Sequence, residues 1–94
     1  MNIVVRLLVI SGRVQRVGYR DAAVQAAFEL GVYGWVRNRR DGGVEAHVQG
    51  DPATVERFAL WCRCGPPLAR VTEVTIDDVE VDVPLSAFEM RATV

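Results

Sequence analysis

GVYGWVRNRRDGGVEAHVQGDP, residues 31–52, holds the end of one helix, two strands with their turn, and the start of another helix. Gly31 closes an apolar-periodic segment and suits a left-handed C-cap. Tyr33 to Arg37 reads as a strand. In Asn38 to Gly43, the Asp-Gly-Gly supplies the positive φ values that a tight hairpin wants. Val44, Ala46 and Val48 then alternate with Glu45, His47 and Gln49, which predicts a half-buried partner strand with a polar face. Asp51-Pro52 opens a helix, with a carboxylate N-cap and proline at the first helical position.

The flanks complete the pattern. Ile3 to Ile10 is rich in β-branched residues and apolar on both parities, the mark of a central strand ending at Ser11-Gly12. From Asp21 to Leu30, Ala23, Ala26, Ala27 and Leu30 form a helical apolar stripe. Beyond the hairpin, Val55, Phe58, Ala59 and Cys62 share one helix face, and Gly65-Pro66-Pro67 ends that helix. Val71 to Val83 reads as a long strand. Its apolar residues change parity between Ile76 and Val79, which predicts a bulge or bend near Asp77-Asp78. Phe88 to Thr93 is the last strand. The order is β-α-β-β-α-β with one extra terminal strand. This predicts an α+β, ferredoxin-like α/β sandwich, an open antiparallel sheet with both helices on one face. Residues 1–94 read as a single domain, without linker, repeat or low-complexity segment.

Composition narrows the function classes. Of the 94 residues, 50% are hydrophobic, enough for a core, and the net charge of −1 excludes a bulk polyanion binder. All the basic residues are arginines, and six of them (Arg13, Arg16, Arg20, Arg37, Arg39 and Arg40) fall in two short stretches. Local positive charge in a neutral chain suggests a focused anion site, with solvated loop arginines as the plainer reading of any one of them. The carboxylates Glu73, Asp77, Asp78, Glu80 and Asp82 read as the solvated face of a strand. Cys62 and Cys64, two apart on a helix, point to different faces and do not pair with each other. Cys62 belongs to the core stripe and Cys64 lies off it. One histidine and two cysteines assemble no zinc set, and a reduced, cytoplasmic protein is expected. The apolar N-terminus is short and contains Arg6, so it reads as a strand and not as a signal peptide or membrane span.

The chemistry concentrates in GRVQRVGYR, residues 12–20. A loop from strand to helix offers unpaired N–H groups at the positive end of the helix dipole, and glycines let them converge on an anion. Arg20, in the first helical turn, suits a two-pronged clamp on phosphate oxygens. An ordinary tight turn remains open on physical grounds. Asn38 reads either as a turn residue bonding its own backbone or as an amide holding a water. His47, in mid-strand on the polar parity, reads as surface. Ser11 and Ser86 have no base nearby in sequence.

Taken together, GRVQRVGYR and GWVRNRRDGGVEAHVQG strongly resemble the two signature motifs of the acylphosphatase family. The resemblance continues through Gly-Pro-Pro after the second helix, Ala69-Arg70-Val71 and the closing FEMR. It implies hydrolysis of carboxyl–phosphate anhydrides without metal or cofactor. Arg20 matches the family's phosphate-binding arginine and Asn38 its water-positioning asparagine. The backbone of Gln15, Arg16, Val17, Gly18, Tyr19 and Arg20 would cradle the phosphoryl group. The implied partner is a small-molecule acyl phosphate, with phosphate or sulfate as alternative occupants of the loop. No nucleic acid or membrane partner is expected, and the chain is expected to be a monomer. Arg16 departs from the family's glycine. Either it adopts a glycine-like angle at a cost, or the angle is ordinary and the side chain points outward, or the guanidinium reaches the phosphate. A non-catalytic anion-binding domain is the alternative. A nucleic-acid-binding sheet using Tyr33 and Trp35 is a third reading, disfavoured by the net charge.

Overall fold

Period-two alternation and ladder register decide which face of the sheet is buried. A computed structural model, describing residues 2–81 and 85–93, contains β1 (Val4–Arg13), α1 (Tyr19–Leu30), β2 (Tyr33–Asn38), β3 (Val44–Gly50), α2 (Pro52–Cys64), β4 (Arg70–Val79) and β5 (Phe88–Met90). The strands form one sheet in the order β4-β1-β3-β2-β5. Central β3 is antiparallel to both neighbours, with Ala46 opposite Leu8 on one side and Val36 on the other. Opposed residues share a face. Leu8, Ile10, Val36, Val44, Ala46 and Val48 therefore make one apolar surface, and all are buried.

Both helices cover that surface. α1 contributes Ala23, Ala26 and Ala27, whose small side chains let it approach closely, whereas α2 contributes Val55, Phe58, Ala59 and Cys62. Phe58 is the largest anchor on α2's buried stripe, and its ring meets those of Trp61 and Phe88 at centroid distances of 5.9 and 5.4 Å. Burying such a side chain stabilises the fold by about 1.5–3 kcal/mol. The Tyr19 hydroxyl donates to the Cys62 carbonyl at 2.8 Å, tying the start of α1 to the end of α2. Burial holds the Tyr19 phenol far above its ordinary pKa, so it stays a donor. The expected caps are present. Gly31 is left-handed at φ 79 and its N–H donates to Ala27, and Asp51 accepts from the Thr54 N–H at 3.0 Å.

The ferredoxin-like α+β architecture is as expected, with local differences. β5 runs parallel to β2, so the sheet is mixed and not wholly antiparallel. The chain crosses from β4 at one edge to β5 at the other, and it enters beside β2 in the same direction. β5 ends at Met90, short of Thr93, although the Arg91 N–H still donates to the Val36 carbonyl at 2.8 Å. β1 continues past Ser11-Gly12 to Arg13, because a register shift between Ser11 and Gly12 preserves pairing with β4. The irregularity expected at Asp77-Asp78 is not there: pairing runs unbroken from Val5–Val79 to Ser11–Glu73. The parity conflict dissolves because Val79 and Val81 are exposed, and Val83 lies outside the described residues. α1 starts at Tyr19, two residues early, since that ring is part of the core. Glu45 and Gln49, expected on a solvated face, are only 5% and 4% exposed. Among the described residues, no helix is long and apolar enough to cross a membrane.

β2 and β3 approach closely at Gly34, where φ is +139° and an added Cβ would lie 1.7 Å from the His47 carbonyl oxygen. Gly34→Ala is therefore expected to destabilise by about 3 kcal/mol or more, read as a lowered urea midpoint. The cysteines give a second check. Burial pushes the Cys62 thiol up to about 12, whereas Cys64 is exposed. At about pH 8 a disulfide reagent needs an accessible thiolate, so native protein is expected to titrate one thiol and denatured protein two. Two rapid equivalents from native protein would contradict this packing.

Candidate functional site

The loop between β1 and α1 is anchored by side chains and leaves its backbone donors open. Val14 and Val17 are buried, and so is Tyr19 at the start of α1. Between them the chain turns through two left-handed residues, Arg16 at φ 63 and Gly18 at φ 77. Gly18 is the helix N-cap, and it takes this angle without the penalty a side chain brings. The Ala22 N–H bonds the Gly18 carbonyl at 3.1 Å, so the N–H groups of Tyr19 and Arg20 precede the helical ladder. Among the described residues, no backbone bond in this connection is donated by Gln15 to Arg20. These donors lie at the positive end of the α1 dipole.

Arg20 is half-exposed in the first turn of α1. Among the described residues, no carboxylate comes within ion-pair distance of Arg16 or Arg20. Arg37 and Arg39 differ. Arg37 Nε donates to Glu45 Oε1, and Arg39 Nη1 lies 3.2 Å from Glu45 Oε2. Arg39 Nε also reaches Asp41 Oδ2 at 3.0 Å. The second basic stretch is thus partly neutralised, and the Glu45 carboxylate is buried because it is paired. Sequence pattern alone missed this, since strand parity assigns Glu45 to the solvated face.

Asn38 ends β2 opposite Val44 and is half-buried. The turn beyond it is held by other groups. The Arg39 N–H donates to the Gly43 carbonyl at 2.8 Å, and Asp41 Oδ1 accepts from the Gly43 N–H at 2.9 Å. Asp41 does the local work that a turn asparagine would do, and its side chain is held below the usual carboxylate range by the Gly43 N–H and Arg39. Among the described residues the Asn38 amide has no hydrogen-bond partner. The two stretches meet through Gln15, whose Nε2 donates to the carbonyls of Arg39 at 2.7 Å and Gly43 at 2.8 Å.

His47 is half-buried, not plain surface as its parity suggested. Its ring lies 5.4 Å from that of Trp35. Burial, then Arg91, holds its pKa below the ordinary histidine value, so it is neutral at pH 7. Trp35 also carries the guanidiniums of Arg37 and Arg91 at 4.6 and 5.1 Å, which engages the ring considered for base stacking. Ser86 lines a separate cavity of about 400 Å³ with Val24, Phe28 and Phe88.

A model described as Acylphosphatase matches residues 6–90. A protein named acylphosphatase from Anaeromyxobacter dehalogenans is 49% identical over 84 residues, covering 89% of this chain and 90% of that protein. Another of that name, from Azoarcus sp., is 55% identical over 73 residues, covering 78% and 74%. The solved structure of an acylphosphatase from Coxiella burnetii superposes with a TM-score of 0.90 at 32% identity, covering 96% of this chain and 94% of that one. Motif, fold and relatives agree, and the chain belongs to the acylphosphatase family.

Proposed function

We propose that this enzyme hydrolyses acyl phosphates with the Gln15–Arg20 loop, Arg20 and Asn38 as its machinery. The activity itself is that of the family, cleavage of a carboxyl–phosphate bond to a carboxylate and inorganic phosphate. The residue roles are supported by one observation above all. Among the described residues, an uncommitted run of backbone donors, an unpaired guanidinium and an unbonded amide occur in segments joined by Gln15. The N–H groups and Arg20 bind the phosphoryl oxygens. Asn38 holds a water in line with the phosphorus–oxygen bond to the acyl group. The leaving group is a carboxylate and needs little protonation, so positioning and charge stabilisation suffice. A phosphate oxygen of the substrate takes the water's proton. The same reading makes the chain one cytoplasmic, monomeric domain that needs no metal, with phosphate or sulfate competing for the loop.

Hydrolysis of benzoyl phosphate with chelator present tests the scheme. Asn38→Ala is expected to lower kcat about 100-fold with little change in KM, because a misplaced water costs that much. Arg20→Ala is expected to lower kcat by a similar factor and to raise KM, since the guanidinium contacts both ground and transition states. Wild-type turnover in Asn38→Ala would sink the assignment, and loss of wild-type turnover in chelator would sink metal independence.

Arg16 has the glycine-like angle, and its side chain is exposed. Holding a non-glycine residue there costs about 1–2 kcal/mol. Glycine would relieve that strain but restore about 0.5–1 kcal/mol of freedom to the unfolded chain. Arg16→Gly is therefore expected to stabilise by about 0.5–1 kcal/mol in urea unfolding. A destabilised variant would mean that the Arg16 side chain makes a favourable contact that offsets its angle.

A further inference from the structure

We propose that the Gln15 side chain is a positioning residue, a strap that fixes the phosphate loop against the hairpin carrying Asn38; this rests on the roles proposed above. Gln15 lies 24 and 28 residues from its two partners, and its Nε2 donates to both, at 2.7 Å to Arg39 and 2.8 Å to Gly43. Both partners are carbonyl oxygens. Only the NH2 side of the amide can satisfy them, so the side chain's orientation is dictated by chemistry. The two carbonyls belong to the residues that close the turn, since the Arg39 N–H already bonds the Gly43 oxygen. Asn38 directly precedes Arg39. One amide thus grips both arms of the turn next to Asn38, from the first residue of the loop.

The hairpin does not need this strap to form. Without Gln15, the Gly43 carbonyl keeps the Arg39 N–H and the Arg39 carbonyl keeps the Gly42 N–H at 3.2 Å. Asp41 and Glu45 hold the Arg39 side chain independently. What the strap adds is a fixed spacing between two elements that the sheet joins only indirectly, since β1 and β2 flank β3 and do not pair. In-line attack depends on that spacing, because the loop holds the phosphorus and the hairpin holds the water. An error of about 1 Å is enough to cost up to about 100-fold in rate. Phosphate binding depends on the loop and Arg20 alone.

Gln15→Met keeps the side-chain length and removes the donor; Gln15→Glu keeps the shape and faces the carbonyls with oxygen. For each, benzoyl phosphate hydrolysis and inhibition by inorganic phosphate are measured, alone and combined with Asn38→Ala. The kcat of either single variant is expected to fall at least about tenfold, with the inhibition constant for phosphate within about twofold of wild type. In the Asn38→Ala background the same change is expected to alter kcat less than about twofold, because the strap acts through Asn38. Urea unfolding of each variant corrects for any unfolded fraction. The proposal is overturned if a Gln15 variant keeps wild-type kcat, if phosphate inhibition weakens in step with kcat, or if the losses multiply in the double variant. Full turnover in Asn38→Ala alone removes the reading of Asn38 and the strap with it. An impaired Asn38→Ala beside a fully active Gln15→Met removes only the strap.

Discussion

The Tyr19 hydroxyl bonds the Cys62 carbonyl across the two helices, and that bond ties the start of α1, where the proposed phosphate loop ends, to the end of α2. A loop that keeps its N–H groups for a ligand cannot use them to hold its own shape. Its geometry must come from side chains. Val14 and Val17 enter the core, and Tyr19 fixes the point where the loop becomes helix. Val17 and Tyr19 alternate with the left-handed residues Arg16 and Gly18. The proposed binding surface and the packing surface are thus interleaved.

The same separation runs through the charges. Eleven arginines against twelve carboxylates would, if scattered, neutralise one another almost everywhere. Among the described residues, however, carboxylates pair only with Arg6, Arg37, Arg39 and Arg91. Glu45 and Asp41 take up Arg39, Glu45 takes up Arg37, and Asp78 lies 3.2 Å from Arg6. Arg16 and Arg20 are left without a carboxylate among the described residues. The proposed phosphoryl site would gain from donors that no carboxylate already satisfies. The buried Glu45 thus pairs Arg37 and Arg39 beside the proposed site.

Much of the fold was legible because its signals are local. Asp51-Pro52, the Gly31 cap and the Asp-Gly-Gly turn each act through neighbours in sequence, and all appear where the sequence put them. The Gln15–Arg39 and Gln15–Gly43 bonds left no such trace, since nothing near Gln15 reveals which carbonyls it will meet. Glu45 was misread for a related reason. Strand parity states which face a residue is on, but a carboxylate's burial depends on arginines supplied from β2 and the turn. The parallel pairing of β5 was equally hidden, because direction is set by where the preceding segment crosses the sheet. Of the site, Arg20 and Asn38 stood out as residues matching motifs; the strap between their segments needed coordinates.

β4 closes one side of the sheet, and among the described residues its outer edge has no strand beside it. Ten residues of open ladder are a template on which a second chain can grow. The edge carries Glu73, Asp77 and Asp78, all exposed, with Glu80 just beyond. Identical edges brought together would set these carboxylates against their own copies, in low-dielectric contact where repulsion is strongest. The acidic run that looked idle beside the catalytic chemistry thus sets charge repulsion against the pairing of two such edges.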